Sequence, residues 1–249
     1  MPVTPRPISE RGYYHLMVRG NSKMPLFEER ADYIHFLNNL KQYSSDHNVA
    51  INAYCLMPNH VHLLICDPEC HKSIFMKRLA GNYAIWFNKK YGRSGHLFES
   101  RYVCKPIESD DLLCTVFRYI LVNPMDAGIC APADYPWSSY DRYGNPNSFV
   151  DTKVLTELLG SFQEYAVYIN SKNADMDIHI CERDDEWAKK VIREGLHVAS
   201  GEDLQELDWI QRNEAIRRLR EYGLSIRQIG RLTGISKGVI QRAIKDESE

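Results

Sequence analysis

Two apolar runs flank a short polar turn in the segment Val49-Ala-Ile-Asn-Ala-Tyr-Cys-Leu-Met-Pro-Asn-His-Val-His-Leu-Leu-Ile-Cys66. Residues 49–57 and 60–66 are rich in Val, Ile, Leu and other side chains that fit a pleated, half-buried surface. Pro58-Asn59 between the two runs is a pair typical of turns. The segment therefore predicts a β-hairpin.

The sequence on both sides of the hairpin predicts further strands and two long helices. Tyr13–Arg19 is aromatic and β-branched enough for a strand, and a short strand is predicted within His96–Pro106. Apolar residues recur at helical spacing over residues 31–44 and again over residues 73–91. These segments enclose the hairpin in the order β-α-β-β-α-β.

A third helix is predicted to follow the last of these strands. Ser109 is a candidate N-cap, and the helix should run to about Val122, where Pro124 is expected to stop it. The complete order, β-α-β-β-α-β-α, predicts an α+β fold: a ferredoxin-like antiparallel sheet with helices on one face.

Charge divides the chain into three predicted regions, residues 1–143, 144–203 and 204–249. Residues 151–203 hold 6 Lys and Arg against 12 Asp and Glu, whereas residues 204–245 hold 9 against 4. We interpret the middle region as an acidic helical linker and the last region as a separate basic module.

The composition excludes several classes of protein. The chain has 249 residues, of which 44% are hydrophobic and 26% charged, as in ordinary globular proteins. No apolar run approaches the roughly 20 residues that a membrane span requires, and the N-terminus lacks the apolar core of a signal peptide. The sequence predicts a cytoplasmic protein with no membrane partner and with reduced cysteines.

The C-terminal region predicts a helix-turn-helix. Ile210, Ala215, Ile216 and Leu219 give residues 208–222 an apolar stripe, Gly223 should end that helix, and Ser225 should cap the next. Thr233-Gly-Ile-Ser236 is a predicted turn. The side chains expected to face DNA are Lys237, Gln241 and Arg242. The same pattern also fits a helical hairpin used for packing or dimer contacts.

Four residues form a candidate site. His60 and His62 are two apart on a predicted strand, so both imidazoles should project from one face and could share a divalent cation. Tyr119 and Asn123 are four apart, so they should share one face of the third helix. Taken singly, the histidines also fit a solvated surface and Tyr119 also fits a core tyrosine.

Three ordered blocks over residues 10–143 resemble a known family. Ala53-Tyr-Cys-Leu-Met-Pro-Asn-His-Val-His-Leu-Leu64 resembles the His-hydrophobic-His signature of nucleases with one catalytic tyrosine. Gly95-His-Leu-Phe-Glu-Ser-Arg-Tyr102 resembles a second block, and Phe117-Arg-Tyr-Ile-Leu-Val-Asn-Pro124 resembles a third. Together they are most similar to the REP-associated tyrosine transposases.

The resemblance implies a function and a role for each site residue. His60, His62 and Asn123 would be ligands of Mg²⁺ or Mn²⁺, and Tyr119 would be the nucleophile. The implied enzyme nicks and joins single-stranded or hairpin DNA, with palindromic repeats, through a 5′-phosphotyrosine intermediate. It would act as a monomer or a homodimer. The alternative is a helix-turn-helix regulator whose front domain is catalytically silent.

Basic residues near aromatic side chains suit single-stranded DNA, because bases stack and phosphates pair with positive charge. The candidates in the front domain are Arg78, Arg101 and Lys105, and Arg101 lies inside the second block. The sequence has no G-x-x-x-x-G-K-[ST] phosphate loop, which agrees with a reaction that exchanges one ester for another without ATP.

Overall fold

The computed structural model describes residues 6–171, 185–222, 224 and 226–245. The chain divides into two compact units, Met1–Ile178 and His179–Glu249. The division between these units falls within residues 144–203, the region predicted to be a linker.

The first unit is built on one antiparallel sheet of four strands. Its strands are β1 (Tyr13–Arg19), β2 (Ala50–Met57), β3 (His60–Cys66) and β4 (Val103–Ile107). They lie side by side in the order β2-β3-β1-β4, with β1 at the centre between β3 and β4. The predicted hairpin is confirmed as β2 and β3, and so are the α+β class and the ferredoxin-like sheet.

Five α-helices accompany the sheet in the described residues of this unit: α1 (Arg30–Asp46), α2 (Lys72–Lys90), α3 (Asp110–Asp126), α4 (Lys153–Leu159) and α5 (Phe162–Asn170). α1 and α2 pack together over one face of the sheet, where alternate strand residues such as Leu16, Val18, Val61 and Leu63 are buried. α3 packs on β2 and β3 from the other face. Helices therefore cover both faces rather than the single face that was predicted.

α3 continues beyond its predicted end. Ser109 caps its first turn, as predicted, because its hydroxyl oxygen accepts from the backbone N–H of Leu112 at 3.1 Å. Pro124 does not stop the helix, which extends to Asp126, and the Ala127 N–H still bonds to the Asn123 carbonyl at 2.9 Å. Proline removes one N–H from a helix, and close to the C-terminus the remaining backbone bonds continue the turn.

The last two helices of the first unit pack against α3. The Arg118 guanidinium on α3 donates to the backbone carbonyl of Tyr168 at 3.2 Å and to that of Ser171. Residues 153–170 are thus a support for the helix that carries Tyr119.

In its described residues the second unit is all-α, with α6 (Asp185–Leu196), α7 (Trp209–Glu221), α8 (Ile226–Thr233) and α9 (Lys237–Lys245). Ala215, Ile216 and Leu219 are buried as predicted, but Ile210 is 57% exposed and is not part of the core. Gly234 adopts a φ of +70° in the bend between α8 and α9, a conformation that glycine tolerates without strain. The predicted end at Gly223 and cap at Ser225 lie outside the described residues.

Within the described part of the chain, no helix combines the length and the apolar composition needed to cross a membrane.

Candidate active site

His60 and His62 project from the face of β3 that lies under α3. Val61 between them points to the opposite face and is fully buried in the α1–α2 core. The ring centroids of the two histidines are 4.8 Å apart and the rings are nearly perpendicular. The predicted pair of adjacent imidazoles is therefore present, with His62 only 2% exposed and His60 half-buried.

A third histidine, His15, lies beside this pair on the central strand β1. Its Nε2 is 3.1 Å from Nδ1 of His62, a hydrogen-bond distance, and the two rings are stacked with centroids 5.2 Å apart. His15 is 2% exposed. It was not singled out from the sequence, because its role depends on the pairing of β1 with β3.

Asn59, the second residue of the turn between β2 and β3, contacts the other histidine. Its side-chain Oδ1 is 2.7 Å from Nδ1 of His60. Its Nδ2 donates to the backbone carbonyl of Lys23 at 3.4 Å, which directs the amide oxygen toward the ring. The turn pair that closes the hairpin thus also orients His60.

α3 brings Tyr119 and Asn123 to the same histidines. The Tyr119 ring centroid is 5.5 Å from that of His62 and 6.0 Å from that of His15, and Tyr119 is half-buried. Asn123 is one turn later, and its Nδ2 donates to the Tyr119 carbonyl at 2.7 Å. The four residues of the candidate site meet within one chain.

Asn123 lies close to both imidazoles. Hydrogen bonding to Asn123 acts to raise the pKa of both His60 and His62. Because Nδ2 of Asn123 bonds to the Tyr119 carbonyl, Oδ1 is the atom of this amide that could bind a cation. Three donor atoms, two ring nitrogens and one amide oxygen, therefore converge.

The environment keeps the histidines neutral. Burial, together with the positive charge of Arg19, lowers the pKa of His60 to about 4. Burial also holds the pKa of His62 well below its usual range, with contributions from the neighbouring rings and from Arg19. For His15, burial and the charge of Lys105 lower the pKa to about 3. At neutral pH each ring therefore has one nitrogen lone pair.

This donor set fits a divalent cation. Neutral imidazole nitrogens bind transition metals such as Mn²⁺, and an amide oxygen suits Mg²⁺ as well. Within the described ranges no group of three or more His, Cys, Asp or Glu side chains is placed to hold a metal ion. The candidate cation site thus depends on two imidazoles and one amide, without a carboxylate.

The predicted DNA-contacting residues of the front domain lie on different faces. Lys105 on β4 pairs in register with His15, so it lies on the histidine face. Arg101 precedes β4 and, with Lys77 of α2, lines a groove of about 810 Å³ on the α2 side. Arg78 is exposed on α2, on the opposite side of the sheet from the histidines. The structure thus groups only Lys105 with the candidate active site.

The predicted DNA-contacting residues of the second unit share one exposed surface. Lys237, Gln241 and Arg242 are all exposed on α9, whereas Ile240 and Ala243 on the same helix are buried in the core. Their contact with DNA remains a prediction.

Comparison with known proteins finds a family that matches the first part of the chain. Residues 9–123 match the family described as "Transposase IS200 like". A solved REP-associated tyrosine transposase, bound to a REP hairpin, is 20% identical, with a TM-score of 0.48 over 57% of this chain and 84% of its own. A candidate transposase from Deinococcus radiodurans R1 is 21% identical, with a TM-score of 0.34 over 52% of this chain and 99% of its own. No curated protein matches the chain.

The matched residues contain the whole candidate site, from His15 on β1 to Asn123 on α3. The relationship predicted from the three sequence blocks is thereby confirmed at the level of the family. The similarity to the IS200-like transposase family extends over residues 9–123 of this chain.

Proposed function

We propose that this protein is a transposase, a metal-dependent endonuclease and strand transferase for single-stranded DNA, and that Tyr119 is its nucleophile. The observation that carries the proposal is the position of Tyr119, whose ring centroid lies 5.5 Å from that of His62 in the same chain. A phenol beside two neutral imidazoles and an amide oxygen suits attack on a phosphodiester near a bound cation.

In the proposed reaction the Tyr119 hydroxyl oxygen attacks the phosphorus atom and loses its proton to solvent. A phosphorus–oxygen bond forms to the tyrosine, the bond to the 3′ oxygen breaks, and that oxygen takes up a proton. The products are a 5′-phosphotyrosine and a 3′-hydroxyl. Because one ester replaces another, a 3′-hydroxyl can later reverse the reaction without ATP.

His60, His62 and Asn123 would hold Mg²⁺ or Mn²⁺. When bound, the ion supplies positive charge that offsets the charge developing on the phosphate oxygens. The protein contributes the placement of the three donor atoms, and burial keeps the imidazoles neutral so that their lone pairs can bind metal. α4 and α5 support α3 and so hold the tyrosine over the sheet.

The substrate is proposed to be DNA that forms palindromic repeat hairpins, because the three sequence blocks resemble the REP-associated tyrosine transposases. Lys105 on the histidine face is the first candidate for a phosphate contact near the nucleophile. We assign Arg78, Arg101 and the exposed residues of α9 to further DNA contacts, on the basis of charge and exposure.

The test is to incubate the protein with single-stranded DNA that carries a palindromic hairpin, in the presence of Mn²⁺, and to look for a covalent protein–DNA adduct on a denaturing gel. The adduct should form with the unmodified protein and disappear in Tyr119→Phe. Tyr222→Phe is the matched control, because Tyr222 is an exposed tyrosine in the other unit. An adduct that persists in Tyr119→Phe would assign the nucleophile to another residue.

A second candidate function, a helix-turn-helix regulator with a silent front domain, rests on the basic face of α9. A chain truncated after residue 178 removes the whole second unit. If the truncated chain still forms the adduct, the chemistry belongs to the first unit. If the full chain binds double-stranded DNA and never forms an adduct, the regulator is the better description.

A further inference from the structure

Both histidines of the candidate cation site have the same ring nitrogen engaged by a neighbouring side chain. Nδ1 of His60 is 2.7 Å from the Asn59 amide oxygen, and Nδ1 of His62 is 3.1 Å from Nε2 of His15. A neutral imidazole carries one proton, and the partner of one nitrogen determines which nitrogen keeps it. The two contacts therefore bear on how the site binds metal.

We propose that each of these histidines is held in its Nδ1–H tautomer by one neighbouring side chain, and that Nε2 is the nitrogen that binds the divalent ion. Asn59 is the positioning residue for His60, and His15 is the positioning residue for His62. The part concerning the ion rests on the proposed function, whereas the tautomers can be measured without it.

For His60 the chemistry of the partner decides the direction of the hydrogen bond. An amide oxygen can only accept, so Nδ1 of His60 must donate to Asn59. The contact between Asn59 Nδ2 and the Lys23 carbonyl fixes which end of the amide faces the ring. The lone pair of the neutral His60 ring is consequently on Nε2.

For His62 the partner is another imidazole, which can donate or accept. The proposed role of His62 as a metal ligand decides between the two directions. If Nδ1 of His62 accepted a hydrogen bond from His15, the proton of His62 would be on Nε2 and would block metal binding there. Nδ1 itself is enclosed by His15, which is 2% exposed and stacked on the same ring. His15 therefore accepts through Nε2 and keeps its own proton on Nδ1.

The hydrogen-bond partners of His60 and His62 differ from those that metal-binding histidines usually have. Metal-binding histidines usually donate their second N–H to a carboxylate, a backbone carbonyl or water, which fixes the orientation of the ring. Here a buried neutral imidazole takes that place on one ligand, and a turn amide takes it on the other. A neutral partner adds no negative charge to a site that already lacks a carboxylate, which suits weak and exchangeable metal binding.

The tautomers can be read directly from the metal-free protein. Long-range proton–nitrogen NMR spectra of protein labelled with ¹⁵N-histidine distinguish the two neutral forms, and His→Gln variants at positions 15, 60 and 62 assign the signals. We expect His60 and His62 both as Nδ1–H. An Nε2–H form for either ring would overturn the proposal for that ring. The variants serve only to assign the signals, and the tautomers themselves are measured on the unmodified protein.

Three variants then separate positioning from packing. His15→Phe keeps a ring but removes the acceptor, so His62 should lose its single tautomer and the Mn²⁺ dissociation constant, measured by calorimetry without DNA, should rise about tenfold or more. His15→Gln places an amide oxygen near the position of Nε2 and should recover most of the affinity. His35→Phe, on the α1–α2 side of the sheet, is the control and should change neither quantity.

Two outcomes would contradict the inference and leave the proposed function standing. One is an unchanged His62 tautomer and unchanged Mn²⁺ affinity in His15→Phe. The other is an Asn59→Ala variant that keeps His60 as Nδ1–H with unchanged affinity. Conversely, the unmodified protein could show both expected tautomers and yet form no covalent adduct with DNA. That result would contradict the proposed transposase function and leave the positioning roles of Asn59 and His15 intact.

Discussion

The two faces of the sheet use the same strands for opposite purposes. On β3, Val61 and Leu63 point into the core formed with α1 and α2, whereas His60 and His62 point toward α3. Successive residues of a strand alternate between faces, so one short segment can supply both a packed interior and a reactive surface. A polar site on one face of the sheet can therefore coexist with an intact apolar core on the other face.

The two faces of the sheet also differ in the chemistry of their buried side chains. On the α1–α2 face the buried side chains are apolar, and their removal from water stabilises the fold. On the α3 face the buried rings are polar, and Nδ1 of His60 and Nδ1 of His62 each lie within hydrogen-bond distance of a neighbouring side chain, Asn59 and His15 respectively. Substitutions on the two faces should therefore separate chemistry from stability.

The largest effect is expected from removing the ligands. The His60→Ala, His62→Ala double variant should lose the cation, whose electrostatic stabilisation of a phosphoryl transfer amounts to several kcal/mol, so the adduct should form about a thousandfold more slowly or not at all. The measurement is the rate of adduct formation with Mn²⁺. A double variant with an undiminished rate would show that the histidines are not ligands.

The next largest effect is expected at Leu63, which follows His62 on β3 and points to the opposite face of the sheet. Leu63 is 1% exposed in the α1–α2 core, and Leu63→Ala should lower the free energy of unfolding by about 2–5 kcal/mol through lost burial and a residual cavity. At temperatures where the variant is folded, its Mn²⁺ affinity should equal that of the unmodified protein. A large change in affinity would mean that the two faces are coupled through the strand.

Much of this contrast could be predicted from the sequence, because it depends on local rules. Period-two alternation placed His60 and His62 on one face, and the spacing of four placed Tyr119 and Asn123 on one side of a helix. The turn at Pro58-Asn59 was visible from its residues. Local rules could not predict that β3 and α3 meet at one site. That prediction came from the resemblance of the three sequence blocks to a known family.

Other features could not be predicted, since they depend on contacts distant in the sequence. His15 joins the site only because β1 pairs with β3, and no local pattern in residues 13–19 shows that register. The extension of α3 through Pro124 keeps Asn123 helical, although proline rules favoured an earlier end. Ile210 continues the apolar stripe of α7 in sequence, but the core of the second unit does not reach that first turn.

A third effect concerns pH and distinguishes the two faces in the metal-free protein. The folded-state pKa is about 4 for His60 and about 3 for His15, below the usual 6.5, so between these values the unfolded chain binds protons that the folded chain does not. The free energy of unfolding should therefore fall as the pH decreases from about 6.5 to about 4.

Denaturant unfolding across this pH range, with a chelator present, measures that slope. A His15→Gln, His60→Gln variant lacks two of the titrating rings and should show a flatter dependence. Leu63→Ala, which changes only the apolar face, should be less stable at every pH but should keep the slope of the unmodified protein. Equal slopes in all three proteins would contradict the lowered pKa values.

The smallest effect we expect is at Asn123, which connects the two sides of the site. Asn123→Ala removes the amide oxygen that could bind the cation and the N–H that bonds to the Tyr119 carbonyl, so Mn²⁺ affinity should fall about tenfold, or about 1.4 kcal/mol. Asn170 on α5 makes the same contact with the carbonyl four residues earlier, that of Ala166 at 2.8 Å, but is exposed. Asn170→Ala should leave Mn²⁺ affinity unchanged, because that amide lies on another helix and contributes no ligand. Equal losses in the two variants would assign Asn123 a helix-stabilising role alone and leave the cation with the imidazoles of β3.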